Sequence, residues 1–119
     1  MTGPILVVDD NADLRETVQM LLEQAGYTVA AAANGQEALE ALQGGARPSL
    51  ILLDLMMPEL NGWQFLERVR EDPLLASIPL VIMTAHKPTV AAPFPRGEVL
   101  QKPFDGAQLL ATIARHVTP

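Results

Sequence analysis

At 119 residues the chain has room for one domain that buries roughly two-thirds of the surface its unfolded form would expose, and the absence of cysteine rules out disulfides and cysteine-based zinc sites. Asp and Glu outnumber Lys and Arg by 14 to 8, and the net charge of -6 repels the phosphate backbone, arguing against direct nucleic-acid binding. No apolar run approaches the ~20 residues that span a bilayer, so no membrane partner is expected and a soluble cytoplasmic protein is.

In chain order, short apolar runs stand at Ile5 to Val8, Val29 to Ala33, Leu50 to Leu53 and Leu80 to Met83, with a weaker one at Val99 and Leu100. Continuous runs of this length predict strands buried on both faces. Segments with helical spacing lie between and after them: Leu14, Val18, Leu21 and Leu22; Ala38, Leu39 and Leu42; Phe65, Leu66 and Val69; and Leu109, Leu110, Ile113 and Val117. Three helix starts carry a capping-box pattern, Asn34 with Glu37, Asn61 with Gln64 and Asp105 with Gln108. Gly26, and Gly44 with Gly45, stand where a left-handed residue would end a helix. The alternation predicts five βα units, hence a parallel sheet with helices on both faces and a crevice at the carboxyl ends of its strands. No repeat or change of composition marks a second domain, so residues 1–119 are expected to form one, with Thr118 and Pro119 beginning a linker.

The polar residues fall at those strand ends: Asp9 and Asp10 after the first, Asp54 after the third, Thr84 after the fourth and Lys102 after the fifth. Three carboxylates brought together repel one another, and a hard divalent cation with oxygen ligands, magnesium above all and manganese as an alternative, is the natural means of holding them ionised. A cation there would screen both Asp54 and an incoming phosphate, allowing Asp54 to act as a nucleophile toward phosphorus. Lys102 offers a mobile ammonium, and the Thr84 hydroxyl a donor used only once a phosphate has arrived. That difference makes a switch.

These residues closely resemble the response regulator receiver family. The likeness runs from Ile5 to Val117 and rests on the Asp9-Asp10 pair, the segment LLDLMMPELNGW with Asp54, Pro58 and Gly62, the Thr84-Ala85 step, and Lys102-Pro103-Phe104. The resemblance implies a doubly wound, flavodoxin-like sheet of five parallel strands in the order 2-1-3-4-5. It implies that Asp54 is the phosphoacceptor, that Asp10 binds magnesium directly, Asp9 largely through water, and that the Met56 backbone carbonyl completes the protein ligands. Lys102 would pair with the phosphate, Thr84 would move toward it, and the Lys102-Pro103 bond would be cis, an isomer otherwise rare. The implied phosphodonor is the phosphohistidine of a sensor histidine kinase or histidine phosphotransfer protein. The receiver would catalyse transfer onto itself, and phosphorylation would bias a two-state equilibrium read by a downstream protein partner.

Some positions depart from that pattern. The aromatic switch residue expected three positions before the lysine is Val99, which puts the usual rotamer readout in doubt. Lys102 follows Thr84 by 18 positions, a few fewer than usual, and the interval contains Pro88, Pro93 and Pro95. Because proline removes a donor and clashes with the preceding turn, the helix between the fourth and fifth strands is expected to be short or irregular, limited to residues around Thr89 to Ala92. That region commonly carries the output of receivers, so signalling through another face or an unusual phosphorylation-dependent homodimer is expected. The two positions that tune phosphoryl lifetime in the family are Met56, which cannot orient a water, and His86.

Taken singly, Lys102 is an ordinary surface lysine, Thr84 an ordinary strand residue, and the acids a solvated patch; the set at corresponding strand ends is what carries the reading. His86 and His116 lack the spacing of metal ligands and read as surface histidines. The Met56-Met57 pair reads as loop packing, Trp63 and Phe65 as packing or exposed residues, and Phe94 as a cover for the shortened loop. Two other functions compete with the receiver: a constitutive docking module that keeps only the fold, opposed by Asp10, Asp54 and Lys102, and a phosphohydrolase with an aspartyl-phosphate intermediate. The latter normally needs a second acid two positions after the nucleophile, where Met56 stands. No DNA-binding or enzymatic output region follows, so any effect passes through protein contacts unless these residues come from a longer chain.

Overall fold

In the computed structural model of the chain, residues 3–45, 47–54, 62–84, 97–101 and 105–117 are described. The strands are β1 (Ile5–Val8), β2 (Val29–Ala32), β3 (Leu50–Asp54), β4 (Leu80–Thr84) and β5 (Gly97–Gln101). The helices are α1 (Ala12–Gln24), α2 (Gly35–Gln43), α3 (Gly62–Arg70), the single turn α4 (Pro73–Ala76) and α5 (Gly106–Ala114). All strands are parallel, in the order β2-β1-β3-β4-β5 expected for a flavodoxin-like sheet.

The strand sequences dictate two cores by simple alternation. Ile5, Val7, Leu50, Leu52, Val81 and Met83 point to one face, where Val18 and Leu22 of α1 and Leu109 and Ile113 of α5 cover them. Leu6, Val8, Ile51, Leu53, Leu80 and Ile82 point to the other, against Ala38, Leu39 and Leu42 of α2 and Phe65 and Val69 of α3. Because both faces are covered, the inner strands read as unbroken apolar runs. β2 departs from that expectation: Ala30 and Ala31 are exposed and Val29 half-buried. It lies at the sheet edge, and among the described residues it pairs with β1 alone.

Helix ends follow the signals in the sequence with two adjustments. Asp105 and Gln108 form the complete capping box at α5. At α2 the Asn34 side chain accepts from the Glu37 N–H at 2.8 Å, but the Glu37 carboxylate reaches past the cap to the Ala33 N–H at 3.2 Å. Asn61 lies outside the described residues. Gly26 (φ 100°) and Gly45 (φ 109°) hold the left-handed positions, whereas Gly44 does not. The turn α4 was not expected. Asp72 precedes it, accepting on its backbone carbonyl from the N–H groups of Leu75 and Ala76, and Pro73 stands first in the turn, where its missing donor costs nothing.

The interval from Ala85 to Arg96, including the expected short helix, lies outside the described residues, as do Thr118 and Pro119. Among the described residues no helix is long and apolar enough to cross a membrane.

Candidate phosphoacceptor and metal site

Parallel strands place all their carboxyl ends at one edge of the sheet, and the strand order reverses direction between β1 and β3. From β1 the chain passes over one face to β2; from β3 it passes over the other to β4. The two connections diverge and leave a crevice above the β1–β3 pair, where ligands bind in doubly wound folds. Register then brings the acids together. Val8 pairs with Leu53, so the residues that follow each, Asp9 and Asp54, leave adjacent strands side by side. Asp10 is next along the turn into α1.

One carboxylate oxygen from each of Asp9, Asp10 and Asp54 lies within 4.8 Å of the other two. Asp9 is fully buried and Asp54 is 5% exposed, whereas Asp10 faces solvent. Hard anionic oxygens at this spacing fit a small divalent cation. Magnesium typically takes few carboxylates and keeps several waters, which suits a site with two buried acids and one at an open mouth.

The turn carrying Asp9 and Asp10 is closely held. The Asp9 N–H donates to the Ala32 carbonyl of β2 at 3.2 Å. Its Oδ1 accepts from the Asn11 N–H at 2.9 Å, and its backbone carbonyl accepts from Arg15 Nη1 at 2.6 Å. Asn11 then caps α1, its side chain accepting from the Leu14 N–H at 3.2 Å. The site therefore opens a helix and closes a strand within three residues. Neither Asn11 nor Arg15 was singled out in the sequence. Asn11 was readable as a polar residue just before an apolar-periodic segment; Arg15 could have been noticed as a cation in the first turn of a helix, where anions are favoured.

Thr84 ends β4 and pairs with Gln101, the last residue of β5, so both strands end at the same edge of the sheet as the acids. The backbone of Gly62 opens α3, and Val99 lies within β5; the side chains of Thr84 and Val99 are not described. Met56, Pro58, Ala85, His86, Lys102 and Pro103 lie outside the described residues, and with them the expected carbonyl ligand, the lifetime position after Thr84 and the cis peptide.

Comparison with known proteins agrees with this geometry. Residues 5–114 match the response regulator receiver domain. The chain is 41% identical to response regulator Rre1 of Synechocystis sp., over 95% of this chain and 52% of that protein. Among solved structures it is similar to the chemotaxis protein CheY4 of Vibrio cholerae, with 31% identity, a TM-score of 0.84, and coverage of 98% of this chain and 100% of that one. A CheY-like receiver domain protein of Methanospirillum hungatei shares 28% identity at a TM-score of 0.79, covering 94% and 91%. The chain spans about half the length of several curated relatives it matches. With the fold, the acidic crevice and the match over nearly its whole length, the chain belongs to the response regulator receiver domain family, a receiver module of two-component phosphorelays.

Proposed function

We propose that Asp54 is the phosphoryl acceptor, supported above all by the convergence of its carboxylate with those of Asp9 and Asp10 to within 4.8 Å at the switch point of the sheet. In this reading one oxygen of Asp54 attacks the phosphorus of a phosphohistidine on a sensor kinase or phosphotransfer protein. The O–P bond forms as the P–N bond breaks, and the imidazole leaves with the bonding pair. Lys102 donates to a phosphoryl oxygen, and Thr84 and Ala85 supply further donors once the group is in place. Burial of Asp54 excludes most water from the product, favouring a phosphoryl group that persists long enough to be read.

Asp10, Asp54 and the Met56 carbonyl would hold magnesium or manganese, with Asp9 acting through water. The bound cation supplies charge neutralisation for the clustered carboxylates and the incoming phosphate. The domain acts as a self-phosphorylating switch, with slow self-dephosphorylation tuned at Met56 and His86, rather than as an enzyme turning over a separate substrate. Residues 1–119 form the receiver unit, working in the cytoplasm, where histidine kinases present their phosphoryl groups. Its output passes to a protein partner through a face other than the one that Val99 and the prolines before it alter, or through an unusual phosphorylation-dependent homodimer.

The test is intact-mass measurement after incubation with magnesium and acetyl phosphate, beside Asp54→Ala. One phosphoryl group should appear on the wild type alone and disappear when magnesium is chelated. A folded wild type that takes none would mean a constitutive docking module.

A further inference from the structure

Arg15 is out of place electrostatically. It closes the first turn of α1, near the unpaired N-terminal N–H groups that favour anions over cations. No acid stands four residues after it in the helix to offset this, since that position is Gln19. Yet the residue is half-buried, and its guanidinium turns back to donate from Nη1 to the Asp9 backbone carbonyl at 2.6 Å. A charge-assisted bond of this length is stronger than a neutral one.

That carbonyl belongs to the peptide plane joining Asp9 to Asp10, so fixing its oxygen fixes the direction in which Asp10 leaves the turn. On the other side of Asp9, its N–H in the preceding peptide donates to the Ala32 carbonyl, and its carboxylate accepts from the Asn11 N–H, so the residue that begins the plane is itself held. Asp10 itself is exposed, and its approach to the two buried carboxylates is set by the backbone beneath it.

We propose that Arg15 is a positioning residue for the divalent-cation site: by clamping the Asp9–Asp10 peptide it holds Asp10 in register with Asp9 and Asp54. This rests on the reading of the acidic cluster as a magnesium site. Two effects of the side chain have opposite signs, which makes the idea decidable. As a nearby positive charge Arg15 repels a divalent cation, and removing it should tighten binding; as a clamp it pre-forms the site, and removing it should weaken binding. Loss of groups that orient metal ligands typically costs about 10–100-fold in affinity, and the clamp is the larger effect.

The experiment is calorimetric titration of magnesium chloride into the full chain, as wild type, Arg15→Met and Arg15→Lys, with circular dichroism to establish that each is folded. Arg15→Met should weaken magnesium binding about tenfold or more, and the loss should persist at high potassium chloride, which screens charge but not geometry. Arg15→Lys keeps a charged donor and should fall between the two. The magnesium concentration that gives half-maximal phosphorylation by acetyl phosphate should rise in Arg15→Met in step with the loss of affinity. Equal or tighter magnesium binding by folded Arg15→Met would overturn the clamp while leaving the site reading intact. A wild type that binds no magnesium would overturn both.

Discussion

Tyr27 and Asp9 are both buried polar residues, but they serve opposite ends of the sheet. Asp9 follows β1 at the carboxyl edge, beside Asp54. Tyr27 precedes β2 at the amino edge, and its hydroxyl donates to the Val117 carbonyl at 2.8 Å, tying together residues 90 positions apart. In Tyr27→Phe the packing of the ring is kept while the buried carbonyl loses its donor, a change worth about 1–2 kcal/mol. Urea unfolding should show a lower midpoint with an unchanged slope, and magnesium affinity should not move. A shift in magnesium affinity would contradict the separation between a stability end and a chemical end. Neither this bond nor the Arg15 clamp was legible in the sequence, for a common reason: each ends on a backbone carbonyl, which no residue type announces. The three carboxylates were legible because each follows an apolar run whose parallel pairing alone brings their chain ends together.

Among the elements, those whose hydrogen bonds and packing are local matched their sequence signals best. α5 is bounded by a reciprocal box in which Gln108 N–H donates to Asp105 Oδ1 at 2.7 Å and Asp105 N–H donates to Gln108 Oε1 at 3.0 Å. Asp105→Ala removes the main cap and should cost about 1 kcal/mol, readable as a lower thermal midpoint, whereas Asp105→Asn should restore most of it. A null effect in Asp105→Ala would mean that packing of Leu109 and Ile113 against the sheet alone defines where the helix begins. Signals were weaker where tertiary position decides. The run from Val29 to Ala33 promised a doubly buried strand, but an edge strand of alanines satisfies the same pattern while leaving Ala30 and Ala31 in solvent. β5 was visible only as Val99 and Leu100, yet extends from Gly97 to Gln101, because pairing with β4 recruits glycine, glutamate and glutamine that carry no strand pattern of their own. The single turn at Pro73 was missed although Asp72-Pro73 is a recognisable start; four residues are too few to show helical periodicity.

At the scale of the whole molecule, clustering three acids in the crevice of a chain already at -6 opposes folding, and a cation that binds only the folded arrangement should reverse that opposition. Linkage sets the size: a ligand at a hundred times its dissociation constant adds about 2.7 kcal/mol. For a domain of this length that corresponds to a rise of roughly 10 °C in the unfolding midpoint. The same rise should not follow from potassium chloride at equal ionic strength, which screens the acids but does not bridge them. Asp54→Asn separates the two contributions within one protein. Losing one of three neighbouring charges should raise the midpoint without magnesium, because two of the three repulsive pairs disappear. Losing one anionic ligand should at the same time shrink the magnesium-dependent rise. Thermal scans of wild type and Asp54→Asn, each with magnesium and with matched potassium chloride, would therefore converge from opposite directions. If both proteins gained equally from magnesium, the stabilising cation would be bound somewhere other than between the strand ends.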